Sequence, residues 1–274
     1  MMHIQNTMRL VFRYLMIPLA MLGAMTWPVC AESPSFTAVV IKPTSEKFQH
    51  WQQSLRGSGG MNGIAKMLSQ GIRLPTPLFL VAQECGTVNA FYMPNKKAIV
   101  ICYEMLDAIQ KKMVQKTTGD MFVKTQSPEI MGKLWSGAFS FILMHEVGHA
   151  LVHVLDVPVL GREEDAADQI AAYFLLAGAP PVEVGKQSAF LMGALWFYDQ
   201  KSLFYTKDSF SDEHSLDPQR QANLACWAYG KDSSRFRQVT QFITPARAAR
   251  CGQEYAQLRA SVHRLLGKNV QLPD

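Results

Sequence analysis

What this sequence most lacks is an excess of either charge. Its 27 Lys and Arg stand against 22 Asp and Glu over 274 residues, a net +5, and no basic run stands out. That balance is too weak for a surface built to bind nucleic acid. Long apolar runs are scarce as well. The stretch "YLMIPLAMLGAMTW", residues 14–27, contains Pro18, and it is too short for a spanning helix, which needs about 20 apolar residues. Cysteine is sparse: there are five, none in a C-x-x-C spacing, which argues against a thiolate metal site. There is no internal repeat, no low-complexity tract, and no linker rich in Pro, Gly or Ser to divide the chain.

The short apolar run has its own meaning. Arg9 and Arg13 precede it and "PVCAE" follows it. A basic start, a short apolar middle and small residues at the end read as a secretory signal, with Val29 and Ala31 placing cleavage after Ala31. The expectation is an exported chain, periplasmic or extracellular, with residues 1–31 as signal, 32–274 as one domain, and no stable membrane span once the signal is removed. Losing Arg9 and Arg13 leaves 25 basic residues against 22 acidic, or +3. Four cysteines remain: Cys85, Cys102, Cys226 and Cys251. An even number in an exported chain favours disulfides. Sequence order pairs Cys85 with Cys102 and Cys226 with Cys251.

The apolar patterning predicts an α+β fold, with a small sheet early and helices late. "FTAVVIK" at 36–42 and "PLFLVAQE" at 77–84 read as strands, and "SEKFQHWQQSL" and residues 61–71 as helices. Two β-rich runs flank "MPNKK" and predict a hairpin. A polar loop is expected at 117–128, with helices near 129–155, 162–178, 182–199, 217–230 and 244–265.

The most informative stretch is "FILMHEVGHALVHVLD", residues 141–156. On a helix, positions four apart differ by about 40° of rotation and one turn of rise. His145 and His149 therefore present two imidazoles to one ion, and Glu146 can reach a water beside it. H-E-x-x-H needs this spacing because two ligands and a base must share one face. The flanking residues are apolar all round, which marks a buried helix, where two histidines and a glutamate need a partner. Gly148 leaves room for another element to approach. His153 stands roughly 12 Å beyond His145, too far to share the ion, and is expected in the core or behind the ligands.

A third ligand is expected after the turn "DVPVLG". Glu164 and Asp168 lie four apart on the next helix and share a face. Glu164 closes the site in this reading, with Glu163 as the alternative, and Asp168 accepts the outer N–H of a ligating histidine. One Zn²⁺ is the expected cofactor, since two imidazoles and a carboxylate suit it.

These residues resemble the gluzincin metallopeptidases, which combine H-E-x-x-H with a downstream glutamate. "EDAAD" at 164–168 resembles the E-x-x-A-D signature of the prenyl-protein peptidase group, and "VNAFYMPNKKAIVICYEML" at 88–106 resembles the N-A-F-Y segment of the neprilysin family. Taken with "ECGTVNAFYMP", "ICYE", "HEVGHAL", "EEDAADQ" and "DEHSLDPQRQANLACWAYG", the chain is similar to a bacterial family of exported metallopeptidases over roughly residues 75–232. The resemblance implies a zincin-like fold and hydrolysis of peptide bonds in a peptide or protein substrate. It also implies that Asn89 and Ala90, on an edge strand, hold the substrate backbone. In gluzincins a histidine, tyrosine or arginine stabilises the oxyanion; His214 and Arg220 are the candidates here, with Tyr198 and Tyr205 open. Arg220 could instead pair with Asp212 or Asp217. The gap from His149 to Glu164 is shorter than in thermolysin-like or neprilysin-like enzymes. Two other readings remain at this stage: a non-catalytic zinc-containing peptide-binding module, and a zinc hydrolase of a non-peptide amide.

Overall fold

A computed structural model describes residues 35–57, 60–119, 128–177, 184–199, 207 and 212–271. The expected signal with its cleavage point at Ala31, the Pro180–Pro181 break and Tyr205 lie outside these residues.

The first half builds a mixed four-stranded sheet. Strand β1 is Phe36–Val40, β2 Leu78–Gln83, β3 Ala90–Met93 and β4 Ala98–Cys102. Their order in the sheet is β1-β2-β4-β3. The first three strands in that order run parallel, while β3 is antiparallel to β4 with Ala90 opposite Ile101 and Tyr92 opposite Ile99. β3 is thus an edge strand. Parallel β1 and β2 need a crossover, supplied by α1, Gln49–Arg56, and α2, Met61–Gly71. The predicted hairpin forms: its turn is a 3₁₀ segment, Pro94–Lys96, closed by Lys97 at φ 48°. β4 is buried at all five positions and reads as a continuous apolar run, as a central strand must.

The second half is helical: α3 Tyr103–Gly119, α4 Pro128–Val154, α5 Glu163–Ala177, α6 Val184–Phe197, α7 Asp217–Lys231, α8 Pro245–Ala248 and α9 Cys251–Leu266. α4 lies at the centre. It is buried on every side between Ala138 and Val152, save partly at Ser140 and His149, because it packs on α5, α6, α3 and the β3–β4 side of the sheet. Small residues let its neighbours in. A Cβ on Gly137 would lie 1.7 Å from the Phe190 carbonyl oxygen of α6.

Two boundaries differ from the sequence reading. The loop expected from 117 is still helix to Gly119, because Thr117 is buried and its hydroxyl bonds back to the carbonyls of Met113 and Val114, while Lys116 pairs with Asp199. The helix expected over 244–265 is interrupted at Ala249–Arg250. There the Arg250 N–H turns to the Arg247 carbonyl, and Cys251 is tied to Cys226 of α7. Both cysteine pairs expected from sequence order are disulfides, Cys85–Cys102 and Cys226–Cys251. No helix among the described residues is long and apolar enough to cross a membrane.

Candidate metal centre

The site is a cavity of about 560 Å³ between β3, the middle of α4, the start of α5 and the segment before α7. Four segments contribute. α4 brings His145, Glu146 and His149; α5 brings Glu163 and Glu164 in its first turn; residues 212–214 and Asn89–Tyr92 with Pro94 also line it. α4 and α5 meet at Gly148, where a Cβ would come within 2.9 Å of Ala167 Cα. That close approach brings the two helices' polar faces together.

The distances decide what the cluster is. His145 Nε2 and His149 Nε2 are 3.1 Å apart. Glu164 Oε2 is 3.0 Å from the first and Oε1 3.2 Å from the second. The far nitrogens are already engaged: His145 Nδ1 lies 2.8 Å from Asp168 Oδ1, and His149 Nδ1 2.7 Å from Glu163 Oε1. A carboxylate only accepts, so each Nδ1 carries a proton and each ring turns its Nε2 toward Glu164. With the rings neutral, three acceptors would face one point and repel, so positive charge, a metal ion or protons on the rings, must stand among them. Ligands about 2.0–2.1 Å from a tetrahedral ion are about 3.3–3.4 Å apart, close to the separations seen here. Glu164 Oε2 is buried and has no well-directed hydrogen bond, although two ring nitrogens stand within 3.0 Å of it. The donor set fits a divalent metal, and the candidate ligand atoms of His145, His149 and Glu164 lie within 4.8 Å of one another.

The electrostatics agree. Burial opposes charge on the His149 imidazole, but the carboxylates of Glu164 and Glu163 outweigh it and raise its pKa to about 9. Burial likewise opposes charge on Glu164, and His145, His149 and His214 hold it ionised, well below the usual carboxylate range. The cluster is built to hold positive charge. Glu146 differs. Burial pushes its pKa up, and the neighbouring histidines and the Tyr92 N–H oppose this only in part.

Behind His145, the buried Asp168 accepts two hydrogen bonds from Arg220, Nε at 2.8 Å and Nη2 at 2.7 Å. Arg220 thus makes its hydrogen-bonded ion pair with Asp168 rather than with Asp212 or Asp217. It is buried over the Tyr198 ring, 4.4 Å from its centroid, and neither residue lines the cavity. His214 does line it. Its Nε2 is 2.9 Å from Glu164 Oε2, while its Nδ1 faces Asp212 at 3.2 Å and its N–H bonds the same carboxylate at 2.8 Å. Arg162 donates to the His214 carbonyl, and Ser215 to Asp165. Asn89 is in the wall, but its side-chain oxygen accepts the Ala90 N–H at 2.9 Å rather than reaching outward.

Sequence reading alone missed several of these contacts. Glu163 entered only as an alternative ligand, and Asp212 only as a partner for Arg220. The spacing D-x-H is the one local signal that could have revealed Asp212, since a side chain two residues back can bond the following N–H as an Asx turn.

A mixed sheet packed beside a buried helix that carries H-E-x-x-H, with an acid from the next helix completing the cluster, defines an α+β protein with a candidate metal centre of the hydrolase kind. Residues 41–266 match the family described as "Putative metallopeptidase", and the chain belongs to that family. No curated protein and no solved structure matches it.

Proposed function

We propose that this chain is an exported, zinc-dependent peptidase of zincin-like fold, acting on a peptide or protein substrate. One observation carries the reading: two Nε2 atoms and a carboxylate converge on a point while both Nδ1 atoms are occupied behind them. His145, His149 and Glu164 would hold one Zn²⁺, the ion that two imidazoles and a carboxylate suit. When bound, it supplies Lewis acidity, acidifying water and polarising a carbonyl.

The chain's own groups do the rest. The Glu146 carboxylate takes the proton of the attacking water and delivers it to the leaving nitrogen. Its burial makes it a stronger base than a surface glutamate. Asp168 and Glu163 fix the tautomers of His145 and His149, and Arg220 fixes Asp168. His214, kept doubly protonated by Glu164 and oriented by Asp212, donates from Nε2 to the oxygen on which negative charge develops. Ala90 and Asn89 line the wall where a substrate strand would add to the β3 edge. The signal-like start and the two disulfides support export.

Metal analysis and a peptide library read by mass spectrometry test this. The expected result is cleavage that stops on chelation and returns with Zn²⁺. Glu146→Gln should keep the metal and lose about 10²–10⁴-fold in turnover. Capture of peptides without cleavage would favour a binding module. An intact library with a fully metallated protein would favour a non-peptide amide as substrate.

A further inference from the structure

His153, the third histidine of the run on α4, is too distant to bind the ion but does not stand alone. Its Nδ1 shares a hydrogen bond of 2.9 Å with the Tyr92 phenol, and the two rings lie 5.7 Å apart. Tyr92 is on the edge strand β3. The Cys102 N–H bonds the Asn89 carbonyl, so Asn89, Phe91 and Met93 occupy the hydrogen-bonded positions of the β3–β4 ladder. Ala90 and Tyr92 then turn their N–H and C=O groups to the free edge. Tyr92 and Glu146 line the same cavity. Tyr92 thus ties the edge strand to α4 through His153, about 10 Å along the helix from the proposed base.

We infer that His153 is a positioning residue: through the Tyr92 phenol it holds β3 against α4, so that the edge carbonyls of Ala90 and Tyr92 stay aligned for a substrate strand beside Glu146. This rests on the peptidase reading above. An edge strand is paired on one side only and shifts easily unless fixed. β3 has four residues, with a hairpin turn at one end and the Cys85–Gly86 bend at the other. Disulfide Cys85–Cys102 fixes the latter end, while the Tyr92–His153 bond lies toward the turn. A substrate strand displaced by a fraction of an ångström leaves its proton transfers outside hydrogen-bond reach of the base.

The test uses the zinc-loaded full chain and one fluorogenic peptide chosen from the library, with His153→Leu, Tyr92→Phe, the two combined, and His153→Gln. Amide hydrogen exchange of residues 90–93 is followed in parallel. Losing one hydrogen bond should lower kcat/KM on the order of fivefold and speed exchange at β3 by a similar factor. The double variant should be no worse than either single one, since both remove the same bond. His153→Gln, which keeps a side-chain partner for the phenol, should recover most of the loss, with zinc content unchanged throughout. Wild-type exchange and kinetics in His153→Leu, or losses that add in the double variant, would overturn the inference. If the wild-type protein binds zinc yet cleaves nothing, the peptidase reading fails, and the exchange data alone decide whether His153 holds the strand.

Discussion

Gly148→Ala separates fold stability from metal binding. Gly148 lies between the two histidines of α4, and Ala167 lies between Glu164 and Asp168 of α5. The added Cβ would sit 2.9 Å from Ala167 Cα, 3.1 Å from its carbonyl oxygen and 3.3 Å from its Cβ. Carbon atoms prefer about 3.5–4.0 Å, so the helices must part locally by roughly 0.6–1.1 Å. Overpacking of this kind costs about 1–3 kcal/mol, while alanine in a helix interior recovers about 1 kcal/mol over glycine, leaving a net loss of roughly 0–2 kcal/mol. Metal geometry is less forgiving, with tolerances of about 0.2 Å on each bond. A shift of α5 carries Glu164 and Asp168 away together. Zinc affinity should fall about tenfold to a hundredfold, as when supporting groups around a site are lost. Thermal unfolding in chelator reads the first effect, and competition with a chromophoric chelator reads the second. Wild-type zinc affinity in the variant would refute the claim that this contact sets the ligand geometry.

Three further outcomes follow from named contacts. Arg220→Gln leaves the buried Asp168 carboxylate without its guanidinium and should cost about 3–5 kcal/mol in urea unfolding. Cys226→Ser opens a link spanning 25 residues, for which chain entropy gives about 3.5 kcal/mol of lost stability, read from the same unfolding curves. Glu84 accepts the Thr44 hydroxyl and the Ser45 and Thr44 N–H groups, which hold its pKa below the usual carboxylate value. Its contribution is therefore present above that usual value and lost as pH falls through the lower folded one. Glu84→Gln should flatten the acid limb of stability against pH, and an unchanged limb would contradict the role given to these hydrogen bonds.

Local patterns made much of this molecule readable. α4 and the pairing of His145 with His149 follow from a period of 3.6 and a spacing of four. The placing of Glu164 and Asp168 on one face of α5 follows from the same geometry, and the hairpin from two β-rich runs about "MPNKK". What stayed hidden depends on distant partners. Arg220 meets Asp168 across 52 residues and Tyr92 meets His153 across 61, and no periodicity joins such positions. Glu163 and Glu164 are adjacent acids in a first helical turn. Only the approach of α5 to α4 at Gly148 settles which one faces both Nε2 atoms and which one reaches Nδ1 of His149. The crossover that makes β1 and β2 parallel is likewise a tertiary outcome.

X-ray absorption at the zinc edge, on protein purified without chelator, tests the centre most directly. The expected spectrum has two imidazole nitrogens and oxygen at about 2.0–2.2 Å with no sulfur, and Glu164→Ala should remove most of the metal. A protein that carries no ion after zinc is supplied, or one whose ion survives the loss of Glu164 unchanged, would contradict the account.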